Sequence, residues 1–310
     1  MREAYSALRD KFREHVLRLA LIASLVAAAA SAQDMEPRAY SRAPVGTQTI
    51  VLTYGFQHGD ILTDSALPLT DVSVKLNSGV VGYARTFGIF KKQANFAVAV
   101  PYFHGWVKGT VFEEQLEVKR SGLGDMRLRF STMLRGAPAL SPKEFAVQKQ
   151  KTLVGISLSI IAPTGQYDPR RLVNIGSNRW GFKPEVGISK PMGKWNLELA
   201  GGAWFFTENG NFFGGARRGQ EPLLSLQAHT SYTIKPRMWV AFSGTYFRGG
   251  RTKVNDVVNN DSLSNSRVGV TFAYPLKNGQ SLKFAWMKGL TTRFGGDISL
   301  YAVGWQYTWF

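Results

Sequence analysis

Cysteine is absent from all 310 residues. This excludes disulfide staples, a lipid-attachment thiol and thiolate metal centres. No apolar run reaches the roughly 18 residues that a membrane helix needs. Histidine is nearly absent too, and His58, His104 and His229 are scattered without metal-ligand spacing. No phosphate-binding glycine loop, coiled-coil heptad or internal repeat stands out, and no motif implies a cofactor. Acidic residues are scarce: 21 Asp and Glu face 38 Lys and Arg, a formal net charge of +17.

What is present starts with a leader. Residues 19–30 form an apolar stretch after Arg13 and Arg18, and Ala30-Ser31-Ala32 supplies small residues before Gln33. Too short to span and flanked by basic residues, it reads as a signal peptide over residues 1–32; a buried N-terminal helix is the competing reading. An N-terminal periplasmic segment, 33–46, then precedes one unit over 47–310. The leader carries five Lys/Arg and three Asp/Glu, a net of two charges, so about +15 of the +17 stays on the mature chain. For an exported chain this charge points away from nucleic acid. It points toward the anionic lipid and lipopolysaccharide phosphates of an outer membrane, or toward an anionic solute.

After residue 45, bulky apolar residues recur at every second position. The spacing predicts twelve strands, at about 47–57, 71–87, 93–105, 121–135, 150–162, 179–190, 195–207, 222–234, 237–248, 264–274, 280–289 and 297–310. In the fourth, Met126, Leu128, Phe130 and Leu134 oppose Arg127, Arg129, Ser131 and Arg135. Short links at 88–92, 191–194, 234–237 and 275–279 alternate with long polar links at 58–70, 106–120, 163–178, 208–221 and 249–263. Apolar faces without a core partner, joined by alternating turns and loops, predict an all-β fold. It is a single closed antiparallel transmembrane β-barrel of about 12 strands. The link at 136–149 is too long for its place, which leaves ten or fourteen strands open. A two-layer β-sandwich is the soluble alternative; it explains neither the leader nor the loop asymmetry.

Aromatic residues gather where two membrane girdles belong. Tyr54, Tyr102, Trp180, Phe206 and Phe247 fall near the long loops, and Phe90, Trp195, Trp239, Tyr307 and Trp309 near the turns. Terminal Phe310 resembles the signal read by the barrel assembly machinery, although Trp305, Tyr307 and Trp309 form the outward row and Phe310 is one step out of phase.

The densest cluster of special residues lies between two strands, from Pro163-Thr164-Gly165 through Tyr167-Asp168 to Asn174-Ile175-Gly176-Ser177-Asn178-Arg179-Trp180. With the leader and the barrel pattern, this run resembles the outer-membrane transporter family labelled "putative MetA pathway of phenol degradation", over most of the mature chain. The resemblance implies a bacterial outer-membrane barrel associated with uptake of aromatic or other hydrophobic compounds. Read physically, Tyr167, Arg170, Arg171 and Asn174 gather at the outer mouth with Asn178, Arg179 and Trp180. Guanidinium groups beside aromatic faces there suit an anionic or aromatic solute. The plainer alternative is a loop that stabilises itself and meets lipopolysaccharide.

The inward phase places Lys75, Arg85, Arg127, Arg129 and Lys183 in the lumen with Arg267 and Lys283. Asp125, Glu185 and Glu198 join them, a cationic surplus that favours anions unless the lumen is plugged by paired charge. A lipid-hydrolase reading of His229-Thr230-Ser231 has little behind it: the following Tyr232-Thr233 lacks the expected Asn-Gly, and both side chains point inward. The expectation is a non-enzymatic outer-membrane channel for passive uptake or binding of small hydrophobic or aromatic compounds. The alternative is a non-conducting structural or adhesive barrel.

Overall fold

A lone strand exposes its peptide groups, so a chain of alternating strands in lipid must pair every edge. This chain does so. The computed structural model describes residues 35–62, 69–111 and 114–310; the expected signal peptide, 1–32, lies outside them. The described strands are β1 (Gln48–Leu62), β2 (Leu69–Ile89), β3 (Lys92–Val111), β4 (Glu114–Leu123), β5 (Met126–Arg135), β6 (Leu153–Ala162), β7 (Gly181–Met192), β8 (Trp195–Phe206), β9 (Asn209–Phe212), β10 (Ala216–Gln220), β11 (Leu223–Lys235), β12 (Met238–Gly249), β13 (Thr252–Val254), β14 (Val257–Val258), β15 (Leu263–Pro275), β16 (Gln280–Thr291) and β17 (Gly295–Trp309).

Twelve strand positions close an antiparallel barrel, because β1 pairs with β17 on one side and β2 on the other. One position is built from two pieces. β3 pairs Tyr102 with Leu123 of β4 but Ala99 with Arg127 of β5, so a bulge at Gly124-Asp125 inserts one residue. Leu123 faces outward before the bulge, and Arg127 faces the lumen after it.

Alternation between lipid and lumen is plain in β11 and β12. Leu224, Leu226 and Phe242 are exposed on the outside, while Ser225, Gln227, His229, Ser231 and Ser243 are buried inside. The long link at 136–149 holds a short helix, α1 (Pro142–Val147), with a capping box between Ser141 and Glu144. That helix absorbs the extra residues without adding a strand.

Several expectations are corrected. Much of the expected loops 58–70 and 106–120 is strand, because β1 to β4 run on past the barrel wall. The loops 208–221 and 249–263 hold a second sheet, ordered β14-β13-β10-β9. Trp239, Phe206 and Phe247 do not belong to the girdles: Trp239 and Phe247 are buried in the inward row of β12, and Phe206 lines the lumen. The outward row at the C-terminus does stack, with Trp305–Tyr307 and Tyr307–Trp309 ring centroids 6.3 and 5.3 Å apart.

Residues 35–47 run inside the turn-side half of the lumen. The Tyr40 hydroxyl donates to Glu185 Oε1 at 3.0 Å and sits 3.0 Å from Ser157 Oγ. The Arg38 backbone N–H donates to Glu198 Oε2 at 2.6 Å, and its side chain donates to Ser231 and Thr233. Glu36 pairs with Arg129 at 3.0 Å. Most of this stretch was expected as the periplasmic segment 33–46.

Candidate functional site

Beyond the occupied turn-side half, the described residues enclose a cavity at the long-loop end of the lumen. It measures about 1130 Å³, including space continuous with solvent. Inward positions near the strand ends supply Phe103, Trp204, Phe206 and Phe247, and Ile161 and Leu263 add aliphatic wall. Trp204, Leu223 and Phe247 pack as one buried cluster. Among the described residues, Arg127, Arg179 and Arg267 lie in the same wall with one carboxylate, Asp125. An apolar cavity with a few convergent polar groups is the usual form of a small-molecule site.

The loop between β6 and β7 roofs this cavity, and its composition explains how. Asp125 Oδ1 accepts from the Gly165 N–H at 2.9 Å, and its Oδ2 accepts from the Ser177 N–H and hydroxyl at 2.8 and 2.6 Å. Gly165 and Gly176 touch: a Cβ on Gly176 would lie 2.7 Å from the Gly165 carbonyl carbon. Asn178 takes the left-handed backbone conformation, φ 52°, and donates to Asn209 Oδ1 of β9. Asn209 in turn donates to the Tyr167 hydroxyl at 2.9 Å. Asn174 accepts from the Asp168 N–H and donates to the carbonyls of Asp168 and Arg171. Arg170 donates to both Asp168 oxygens, and these hydrogen bonds hold the carboxyl down to about 2.

The model of the family described as "Putative MetA-pathway of phenol degradation" matches residues 46–294. The chain belongs to that family. Among solved structures, this family member is similar to the COG4313 outer membrane channel from Pseudomonas putida F1. That match has 20% identity and a TM-score of 0.75, over 89% of this chain and 100% of that one. The β domain of the Bordetella autotransporter BrkA matches at 10% identity and a TM-score of 0.52, over 85% and 100%. Both likenesses bear on fold alone, and the fold is that of an outer-membrane β-barrel. No curated protein sequence matches significantly.

In this MetA-pathway family barrel, the expected mouth residues do not converge on one spot. Arg179 alone lines the cavity. Tyr167, Asn174 and Asn178 tie the loop together, as just described. The Arg170 and Arg171 side chains are 87% and 57% exposed and pair with Asp168. Trp180 is exposed on the outside, stacked 6.2 Å from Phe182. The physical reason is competition: the loop's own donors and acceptors consume the polar groups that a solute would use.

Eight of the ten lumen expectations face inward. Asp125, Arg127 and Arg267 line the cavity. Arg129 and Lys183 pair with Glu185 at 3.3 and 3.0 Å, Glu198 meets Arg38, and Lys283 lies 5.8 Å from the inward Trp239 ring. Lys75 and Arg85 are corrections: both are exposed on the outward face of β2. Their neighbours Val72 and Val74 are buried on the inner face, and Val74 and Leu76 share an inner pocket with Val173 and Ile175 of the loop. A greasy inner face inverted the apparent phase of that strand. His229 Nδ1 lies 2.8 Å from Ser243 Oγ, while Ser231 accepts from Arg38, so each has a partner other than its neighbour in the His-Thr-Ser run.

Residues 35–47 carried no alternation to read and were missed as part of the lumen. The signal available was Gly155 opposite Gly187, a bare cross-strand pair that leaves room for one ring.

Proposed function

We propose that the protein is a passive outer-membrane channel for small hydrophobic or aromatic compounds, without enzymatic activity. One observation carries this: the lumen turns from polar rows to aromatic and aliphatic wall at the long-loop end, where Phe103, Trp204, Phe206 and Phe247 enclose the cavity. A water-filled sieve for polar solutes gains nothing from such a wall, whereas a conduit for aromatic solutes replaces their hydration shell with it. Family membership and the fold likeness to an outer membrane channel support the same reading. Export through the 1–32 leader, contact of the basic loops with lipopolysaccharide, and recognition of the Phe310 end by the assembly machinery complete the proposal.

The test is uptake into liposomes of purified protein. Phenol or benzamide should enter faster than into empty liposomes, and a hydrophilic solute of similar size should not. Equal entry of both would replace the proposal with a general pore. Lipid hydrolysis assayed in the same sample should be nil. A second reading, a non-conducting barrel, is favoured by residues 35–47 filling the turn-side lumen, and a complete lack of uptake and conductance would establish it.

A further inference from the structure

The Arg179 guanidinium is buried, 8% exposed, in the cavity wall. Its Cζ lies 4.3 Å from the Phe206 ring centroid, and its Nη2 donates to Gln220 Oε1, a neutral amide. Among the described residues its Nη1 is buried with no partner. Asp125 shares that wall, yet both its oxygens are taken by Gly165 and Ser177 of the loop. A second buried arginine, Arg218, stands over Phe212 at 5.6 Å with its Nε unpartnered, and the two cations repel each other. Burial pushes Arg179 well below the usual arginine value, and Arg218 to about 10. Asp125 attracts Arg179 through space without a hydrogen bond to it, and a buried cation whose N–H is left unsatisfied is costly. Solvation of the loop does not explain it, because Arg170 and Arg171 already serve the solvent face.

We propose that Arg179 is the anchor of a binding site for aromatic monocarboxylates, with the carboxylate on Nη1 and the ring among Phe103, Trp204, Phe206 and Phe247. An anion there completes the hydrogen bonding of the guanidinium and offsets its charge. The aromatic body occupies the apolar wall, which a small inorganic anion leaves empty. This inference rests on the reading of the barrel as a conduit for aromatic solutes and names the class that the cavity takes.

The test is titration calorimetry at pH 8 on the detergent-solubilised protein, with benzoate, its neutral isostere benzamide, and acetate. Benzoate should bind at least tenfold more tightly than either. Arg179→Gln should weaken benzoate at least tenfold and change benzamide less than twofold, while Arg179→Lys should keep most of the preference. Heat-dependent gel migration confirms that each variant is a folded barrel. Benzoate binding no tighter than benzamide, or both weakened alike by Arg179→Gln, would overturn the anchor. Acetate binding as tightly as benzoate would overturn the aromatic part of the assignment. If benzamide binds and crosses liposomes while benzoate shows no preference, the anchor alone fails. If no aromatic solute binds or crosses, the conduit reading beneath it fails too.

Discussion

Gly155 and Gly187 face one another across β6 and β7, and the Tyr40 ring lies on the pair. A Cβ on Gly187 would come 2.1 Å from Tyr40 Cε2, and one on Gly155 2.6 Å from Cδ1. Neither glycine needs an unusual φ; what each supplies is close approach. Gly187→Ala should therefore unseat Tyr40 and with it Arg38. Displacing a buried aromatic ring costs about 3 kcal/mol, which corresponds to roughly a hundredfold larger open population. Trypsin cleavage after Arg38 should accelerate at least tenfold, and an unchanged rate would mean that the ring is not what holds the segment. Of the residues expected at the mouth, the loop-building ones were legible as a motif, but their roles were not. Asn, Asp and Gly in such a run satisfy each other as readily as a ligand, and the pairing is visible only once the loop is folded. Asp168 shows the consequence. Its folded value of about 2 is below its ordinary 3.8, so it stabilises the loop fully above about pH 4, and that stability fades as pH falls toward 2. Pepsin nicking between residues 163 and 180 should rise across that window in the wild type. Asp168→Asn should show no such pH dependence, and an identical profile would dismiss the role.

Among elements, the barrel strands were readable because each is written twice, once by lipid and once by lumen. The expected 195–207 and 264–274 became Trp195–Phe206 and Leu263–Pro275. What failed to show were elements answering to neither environment. Strands β9, β10, β13 and β14 have four, five, three and two residues, too short for any period to register. They hold together through side chains: buried Asp261 accepts from the Thr252 N–H at 2.8 Å and its hydroxyl at 2.6 Å. Asp261→Ala leaves two buried donors unpaired, about 3 kcal/mol of local stability. Hydrogen exchange at residues 252–258 should quicken about a hundredfold while amides of β11 and β12 stay protected. Equal acceleration in the barrel would show that the small sheet and the wall are one unit.

For the whole molecule, closure was legible, since it follows from alternation. Occupation of the lumen was not, because a segment that fills space obeys no period. Residues 35–47 add no strand pairing to the barrel, which begins at Gln48, so the wall should fold without their side chains. They do bring Glu36 against Arg129 and Arg38 against Glu198, pairing single charges of the turn-side lumen as they fill it. Replacing residues 35–43 by a Gly/Ser stretch of equal length removes both ring and charges. Single-channel conductance in a planar bilayer should then rise several-fold, because the narrowest part of a pore dominates its resistance. Arg129, Lys183 and Lys283 would be left facing Glu185 and Glu198 across water. The segment itself carries Glu36, Arg38 and Arg42, a net of one cation, so its removal lowers the surplus. The one cation left should keep the reversal potential in a salt gradient on the anion side, but less far than in the intact protein. Conductance unchanged by the replacement would place the limiting constriction at the long-loop end, beneath the roof held by Asp125; cation preference would show that the lumen carboxylates outweigh their partners.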